Sequence, residues 1–177
     1  KGLIAPVYQM PSLPKLAKLA TTPLTLNLQQ QQAVQKITHA CQQPHYEGFL
    51  LNGITGSGKT EVYLQVMQTV LAQGKQVLIL VPEIGLTPQT RQRFAERFES
   101  QVLMLHSGLN DTIRLDGWQQ CRLGYAQIII GTRSSVLYPF ANLGLIIVDE
   151  SHDQSYKQQD SLRYHASDVA LYRGFQL

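Results

Sequence analysis

The residues that could do chemistry gather in two places. The first is Gly53-Ile54-Thr55-Gly56-Ser57-Gly58-Lys59-Thr60. It matches G-x-x-x-x-G-K-[ST], the phosphate loop, and it follows an apolar run, Phe49-Leu50-Leu51, that reads as a strand. A helical pattern follows it, Glu61-Val62-Tyr63-Leu64-Gln65-Val66-Met67. Gly53, Gly56 and Gly58 let the backbone turn its N–H groups inward, with no β-carbon to obstruct phosphate oxygens. A helix opening near Gly58 adds unpaired N–H groups and a positive dipole end. Lys59 can reach β- and γ-phosphates, and the Thr60 hydroxyl can hold Mg²⁺. The second place is Leu145-Ile146-Ile147-Val148-Asp149-Glu150-Ser151-His152. An apolar strand ending in two carboxylates delivers them to the carboxyl edge of a parallel sheet, where a phosphate loop also opens. Asp149 is expected to complete the Mg²⁺ shell with Thr60 through water, and Glu150 to orient and deprotonate an attacking water. His152 stands one turn further on, in place to sense the γ-phosphate. A glycine-rich turn and an acidic strand end each occur without a ligand. Their combination at this separation implies a Mg²⁺–nucleoside triphosphate site.

Three other stretches are more polar than solubility requires. Val81–Gln89 (VPEIGLTPQ) follows a strand and opens a helix, offering Pro82, Glu83, Gly85, Thr87 and Gln89. Gly131-Thr132-Arg133-Ser134-Ser135 again comes directly after a strand. Hydroxyls and amides as neutral donors, with Arg133 as the cation, suit the phosphates of a single nucleic-acid strand. As plain strand-to-helix turns, both loops need no ligand. Asp153–His165 interleaves aromatics with cations: Tyr156, Lys157, Arg163, Tyr164 and His165. Its rings can stack on bases and its cations can meet phosphates. The alternative is an exposed loop whose tyrosines pack on the domain.

These residues need strands that end together and helices that hold them apart. Gln29–Cys41 carries Ala33, Val34, Ile37, Ala40 and Cys41 at helical spacing, with Asn27 as N-cap and Pro44 as stop. The helix after the phosphate loop runs to about Gln73 and ends at Gly74. Gln76–Val81 is a strand buried on both faces, and Thr87–Phe98 a helix with Thr87 as cap and Pro88 in its first position. Val102–Leu105, Gln127–Ile130 and Leu145–Val148 are further strands. Asp111–Leu123 is a helix ended by Gly124, and a last helix, Ser167–Arg173, is expected to stop at Gly174. Strands alternating with such helices imply an α/β fold with a mostly parallel sheet and right-handed crossovers. Residues 1–25 hold Pro6, Pro11, Pro14 and Pro23 with little periodicity, and read as a linker or arm before a domain at 26–177.

At 177 residues the chain suits one domain with a substantial core. A net charge of +3 permits nucleic-acid binding without arguing for it. Cys41 and Cys121 form no C-x-x-C pair, and read as unbridged, metal-free, buried apolar residues of a reducing compartment. No apolar run approaches the ~18–20 residues needed to span a bilayer. The start at Lys1 has no signal-peptide core, so the chain reads as cytoplasmic and excised from something longer.

The segments GITGSGKTEVYL, LVPEIGLTPQT, LHSGL, IIIGTRS, LIIVDESHDQSYKQQ and RYHASDVALYR together resemble the primosomal protein N′ (PriA) family of bacterial replication-restart DNA helicases. The resemblance covers nearly all of Leu26 to Arg173. It implies the first RecA-like, phosphate-loop lobe of a superfamily-2 motor that uses ATP and Mg²⁺ to move 3′→5′ on DNA at stalled forks. It implies that VPEIGLTPQ and GTRSS contact the translocating strand, and that Asp153–His165 couples DNA binding to hydrolysis. It places Asn27 and Gln30 near the adenine. Single-stranded and forked DNA, restart proteins and single-stranded-DNA-binding protein are the implied partners, with no membrane, in a bacterial cytoplasm and nucleoid. A second lobe with an arginine finger, a zinc-binding region and an N-terminal DNA-binding domain belong to the family, and this chain carries none of their motifs. Ser151, Leu162 and Ser167 depart from the family pattern, where an acidic residue, an aromatic and an arginine are usual. Two other readings stay open: the lobe of another double-stranded DNA translocase, and a non-catalytic ATP-binding scaffold of the replisome.

Overall fold

A computed structural model describes residues 23–54, 56–98 and 101–177. Most of the arm expected at residues 1–25, and Thr55 of the phosphate loop, therefore lie outside the described residues. Helix α1 (Leu28–Cys41) opens on a capping box: the Asn27 side chain accepts from the Gln30 N–H, and the Gln30 side chain accepts from the Asn27 N–H. Helix α2 (Lys59–Ala72) starts from Gly58, and strand β1 (Gln76–Leu80) is buried along its whole length. Helix α3 (Pro88–Phe98) is capped by the Thr87 hydroxyl, which accepts from the Thr90 N–H. Strand β2 (Val102–Leu105), helix α4 (Asp111–Arg122), strand β3 (Ile128–Gly131) and strand β4 (Leu143–Val148) complete the alternation. A short antiparallel pair, β5 (Lys157–Gln158) and β6 (Tyr164–His165), leads into helix α5 (Ala166–Gln176).

The four main strands form one parallel sheet in the order β2-β3-β1-β4. Strand β1 lies in the interior, with Val77–Leu80 facing Ile128–Gly131 on one side and Leu145–Val148 on the other. Its side chains alternate between two cores. Val77 and Ile79 pack with Leu64, Met67 and Leu71 of α2 and with Phe94 and Phe98 of α3. Leu78 and Leu80 pack on the opposite face with Leu105, Cys121, Val136, Tyr156 and Ala170. This is the doubly covered parallel sheet expected of the sequence. The ends of β1, β3 and β4, which lead into candidate residues, therefore open at one edge. Among the described residues no helix is long and apolar enough to cross a membrane. Both cysteines are free thiols; burial raises Cys41, which is half-buried, and pushes the fully buried Cys121 up to about 12.

Two expectations fail. No strand forms at Phe49–Leu51: residues 46–54 have no regular structure, and Leu50 is 86% exposed. Three apolar residues between Gly48 and Gly53 offer few ladder rungs, and Tyr46 instead sets its ring edge-on to Phe175 of α5. The outer edge of β4 has no ladder partner among the described residues, and all six of its residues are only half-buried. Gly174 does not end α5, which begins at Ala166 behind His165 and runs on to Gln176. The Tyr46 ring lies so close to Gly174 that a β-carbon there would stand 2.5 Å from it, so this glycine admits a neighbour and stops nothing.

One buried ion pair joins the two helices on the α2–α3 face. Arg97 donates to the Glu61 carboxylate at 2.9 Å, with both side chains almost fully enclosed. The same carboxylate accepts from the Leu24 N–H and the Gln65 amide. Glu61 directly follows Thr60, so the pair also fixes the start of α2. Arg97→Ala is expected to lower unfolding free energy by about 3–5 kcal/mol, because it leaves a buried carboxylate uncompensated. Urea unfolding followed by circular dichroism measures it. A loss under ~1 kcal/mol would mean that the neutral donors satisfy Glu61 by themselves.

Candidate active site

The phosphate loop leads into α2 through two left-handed residues, Gly56 at φ 80° and Gly58 at φ 81°. A side chain at Gly58 would be strained and would stand 2.5 Å from the Gln30 amide nitrogen. Gln30 is there because the capping box at Asn27 aims it at the loop, and its amide donates to the Ser57 carbonyl at 2.9 Å. Asn27 and Gln30 thus reach the phosphate loop, Gln30 directly and Asn27 through the cap. Lys59 donates from Nζ to the carbonyls of Gly53 (2.6 Å) and Ile54 (3.1 Å), which centres its charge within the loop.

Strand β4 carries Asp149 and Glu150 to the same edge. The Asp149 N–H donates to the Leu80 carbonyl at 2.9 Å, continuing the β1–β4 ladder one residue past the strand. Thr60, Tyr63, Arg93, Asp149, Glu150 and His152 line one cleft of about 480 Å³. Tyr63 is a contributor that sequence reasoning missed. It lies one turn after Thr60, stacks on Phe94 (centroids 6.4 Å apart, planes 6° apart) and sets its hydroxyl 3.4 Å from Asp149 Oδ2. The i to i+3 spacing from Thr60 was the signal available for it. Burial foremost pushes the Tyr63 phenol up to about 12, with the Asp149 charge also raising it, so it remains a donor at working pH. The Glu150 carboxylate faces His152 Nε2 at 3.7 Å, both exposed to solvent.

The donor set fits Mg²⁺. A hydroxyl and a carboxylate lining one cleft are hard oxygen ligands, which this ion takes together with water and phosphate oxygens. Among the described residues no group of three or more His, Cys, Asp or Glu forms a metal cage. A metal held largely through substrate phosphates needs none.

The polar loops after β1, β3 and β4 share this edge, but two of the expected contacts are withdrawn from it. Thr132 is 3% exposed and Tyr156 is 0% exposed, while Pro82, although buried, lines the cleft. The Thr132 N–H is spent on the Leu105 carbonyl. Tyr156 turns inward because the Asp153 carboxylate accepts from the Ser155 N–H and closes a tight 3-10 turn over Gln154–Tyr156. Its ring then joins the core and stacks on no base. Glu83, Gln89, Ser134, Lys157 and Arg163 are exposed, and Gly85, Thr87, Arg133, Tyr164 and His165 half-buried. Arg133 is engaged internally, donating to the carbonyls of Ser155 and Lys157 at 3.3 Å each. Tyr164 and His165 pair with Gln158 and Lys157 in the β5–β6 hairpin, where a loop was expected.

Comparison with known proteins extends this geometry. The chain is 56% identical over 151 residues to the replication restart protein PriA of Haemophilus influenzae, covering 84% of this chain and 20% of that protein. It is 46% identical over 167 residues to replication restart protein PriA of Bacillus subtilis, covering 94% of this chain and 21% of the relative. The resemblance carried by the motifs is borne out, and the chain spans about a fifth of the length of these curated relatives. A solved structure, RecG bound to a three-way DNA junction, shares the fold with a TM-score of 0.67 at 24% identity, over 88% of this chain and 24% of that one. The DEAD/DEAH box helicase family matches residues 27–175, from the cap of α1 to the last turn of α5. With its phosphate loop and paired carboxylates meeting at one sheet edge, the chain belongs to the DEAD/DEAH box helicase family.

Proposed function

We propose that this chain is the ATP-binding lobe of a 3′→5′ DNA helicase that restarts replication at stalled forks. The observation that carries the reading is the convergence of Thr60, Asp149 and Glu150 on one cleft, beside polar loops from three parallel strands. The family's use of ATP and Mg²⁺ and the similarity to PriA proteins support it. Backbone N–H groups around Gly56 and Gly58 receive phosphate oxygens, and Lys59 moves from the loop carbonyls to the β- and γ-phosphates. Thr60 and Asp149 would hold Mg²⁺, which would neutralise charge on those phosphates, and Tyr63 braces Asp149. Glu150 accepts the proton of the attacking water, and His152, within reach of Glu150, senses the γ-phosphate. Asn27 and Gln30 lie on the adenine side of the loop.

Glu83, Gly85, Thr87, Gln89, Arg133, Ser134, Lys157, Arg163, Tyr164 and His165 form the DNA-facing edge. Residues 26–177 act as one lobe and residues 1–25 as an arm. Forked and single-stranded DNA, restart proteins and single-stranded-DNA-binding protein are the partners that follow, in the bacterial cytoplasm and nucleoid. A full-length protein is expected to hydrolyse ATP faster with forked DNA present and to displace a strand in the presence of ATP and Mg²⁺. ATP turnover indifferent to DNA would favour an ATP-binding scaffold. Movement along duplex DNA without strand separation would favour a double-stranded DNA translocase. For this lobe itself, three cations at the edge (Arg133, Lys157, Arg163) set a log–log salt slope for single-stranded DNA of about −2, at about −0.7 per phosphate. Fluorescence anisotropy across a salt series measures it. A slope near zero would remove these residues from the DNA contact.

A further inference from the structure

Tyr156 is the largest of the fully enclosed side chains among the described residues, and it is the one that carries a polar atom into the base of the candidate active site. Its hydroxyl donates to the Asp149 carbonyl at 2.6 Å and to the Leu80 carbonyl at 2.9 Å, one proton shared between two acceptors. The Leu80 carbonyl already accepts the Asp149 N–H. The result is a closed ring: both polar groups of the Asp149 backbone are tied to the end of β1, one directly and the other through the phenol. Beyond Val148 no strand residue of β4 exists to do this, so the side chain stands in for a ladder rung.

The next residue makes that rung matter. Glu150 sits at φ 46°, one of two non-glycine residues in the left-handed region among those described. Any residue with a β-carbon is disfavoured there, and such a conformation persists only where its surroundings hold it. The peptide plane between Asp149 and Glu150 sets that angle, and its carbonyl is the one Tyr156 grips. The Glu150 N–H, on the same plane, donates to Asp149 Oδ1 at 3.1 Å. Asp149 keeps its N–H bond to Leu80 and its Tyr63 contact without the phenol, so the hydroxyl bears chiefly on Glu150. Arg133 braces the tyrosine from outside, holding the carbonyls on either side of it. Burial, and then the charges of Asp149, Asp153 and Glu150, raise the phenol far above its ordinary value, so it stays a donor.

We infer that Tyr156 is a positioning residue for ATP hydrolysis: its hydroxyl fixes the Asp149–Glu150 peptide and so aims the Glu150 carboxylate at the attacking water. The inference rests on the proposed role of Glu150, and it does not depend on DNA. It also differs from a packing role, since the ring alone would fill the core.

The test separates hydroxyl from ring with Tyr156→Phe in the full-length protein, read in DNA-free ATP turnover. The expected result is a fall in kcat of about tenfold, the scale of one net hydrogen bond to a site that must stay ordered. KM for ATP and affinity for Mg²⁺–ADP should stay near wild type, and Tm should fall only by the small amount that one lost buried hydrogen bond costs. In a Glu150→Gln background, followed in single turnover, the same substitution should add less than about twofold, because the tyrosine acts through Glu150. An unchanged kcat overturns the inference. So does an equal fall in both backgrounds, or a joint loss of Tm, KM and kcat, which would mark a structural residue. A wild-type protein that hydrolyses ATP yet separates no forked DNA would sink the helicase reading and leave this inference standing. A wild type without turnover would sink both.

Discussion

Glu150→Gln is expected to lower ATP turnover by about 10²–10⁴ while ATP still binds, the range over which a positioned general base contributes. The exchange keeps size and shape and removes the negative charge that accepts the water's proton. It also removes the charge facing His152, 3.7 Å away, but that contact is solvent-exposed on both sides and contributes little stability. The carboxylate itself bonds no backbone group among the described residues, so its loss should leave β4 and the Asp149 ladder bond in place. Rapid-quench turnover together with nucleotide titration separates the two quantities. A mutant that binds ATP tenfold more weakly would make Glu150 a nucleotide ligand. A mutant with wild-type turnover would place the base elsewhere in the cleft.

The second large effect is on binding. Lys59→Ala is expected to weaken ATP affinity by about 10²-fold or more. Charge-assisted bonds to phosphate contribute roughly 1.5–3 kcal/mol each, and Lys59 reaches two phosphates. Part of that gain is offset, because the amine must leave the Gly53 and Ile54 carbonyls that hold it at 2.6 and 3.1 Å. The same two bonds predict a small stability cost of about 1 kcal/mol, since the carbonyls are exposed and water replaces the amine. Calorimetric titration with ATP and thermal unfolding read these independently. Unchanged affinity would remove the phosphate-loop assignment. A collapse of Tm would mean that Lys59 organises the loop more than it binds the ligand.

Much of the scaffold was legible in order. Strand β2 runs from Val102 to Leu105 as the apolar run predicted, and α3 begins at Pro88 under a Thr87 cap. Helices α2 and α4 end before Gly74 and Gly124, which take φ 73° and 75°. The Asn27 cap closes with Gln30 as its partner. Each of these features is decided by residues within one or two turns of each other, so period, cap and stop are written locally. The catalytic candidates share that property: the phosphate loop and the Asp149–Glu150 strand end are short, and their chemistry follows from residue type and immediate flank.

The remaining features depend on what a segment meets after the chain closes. Phe49–Leu51 has strand-forming residues but no ladder partner, and a strand exists only where another strand pairs with it. Gly174 carries a helix-stopping signal that the Tyr46 ring overrides. Tyr156 has the composition of a base-stacking residue, and its inward turn shows only when the carbonyls of Leu80 and Asp149 arrive beneath it from two distant strands. Glu61 and Arg97 lie 36 residues apart in sequence, and nothing local to either marks the pairing that α2 and α3 enclose. Sequence by itself therefore determined the alternating architecture, the nucleotide motifs and the edge at which they open. Tertiary structure alone decided which polar residues remain at that edge and which become the internal bonds that hold it. Burial is a property of pairs of elements, and no single stretch of chain records its partner.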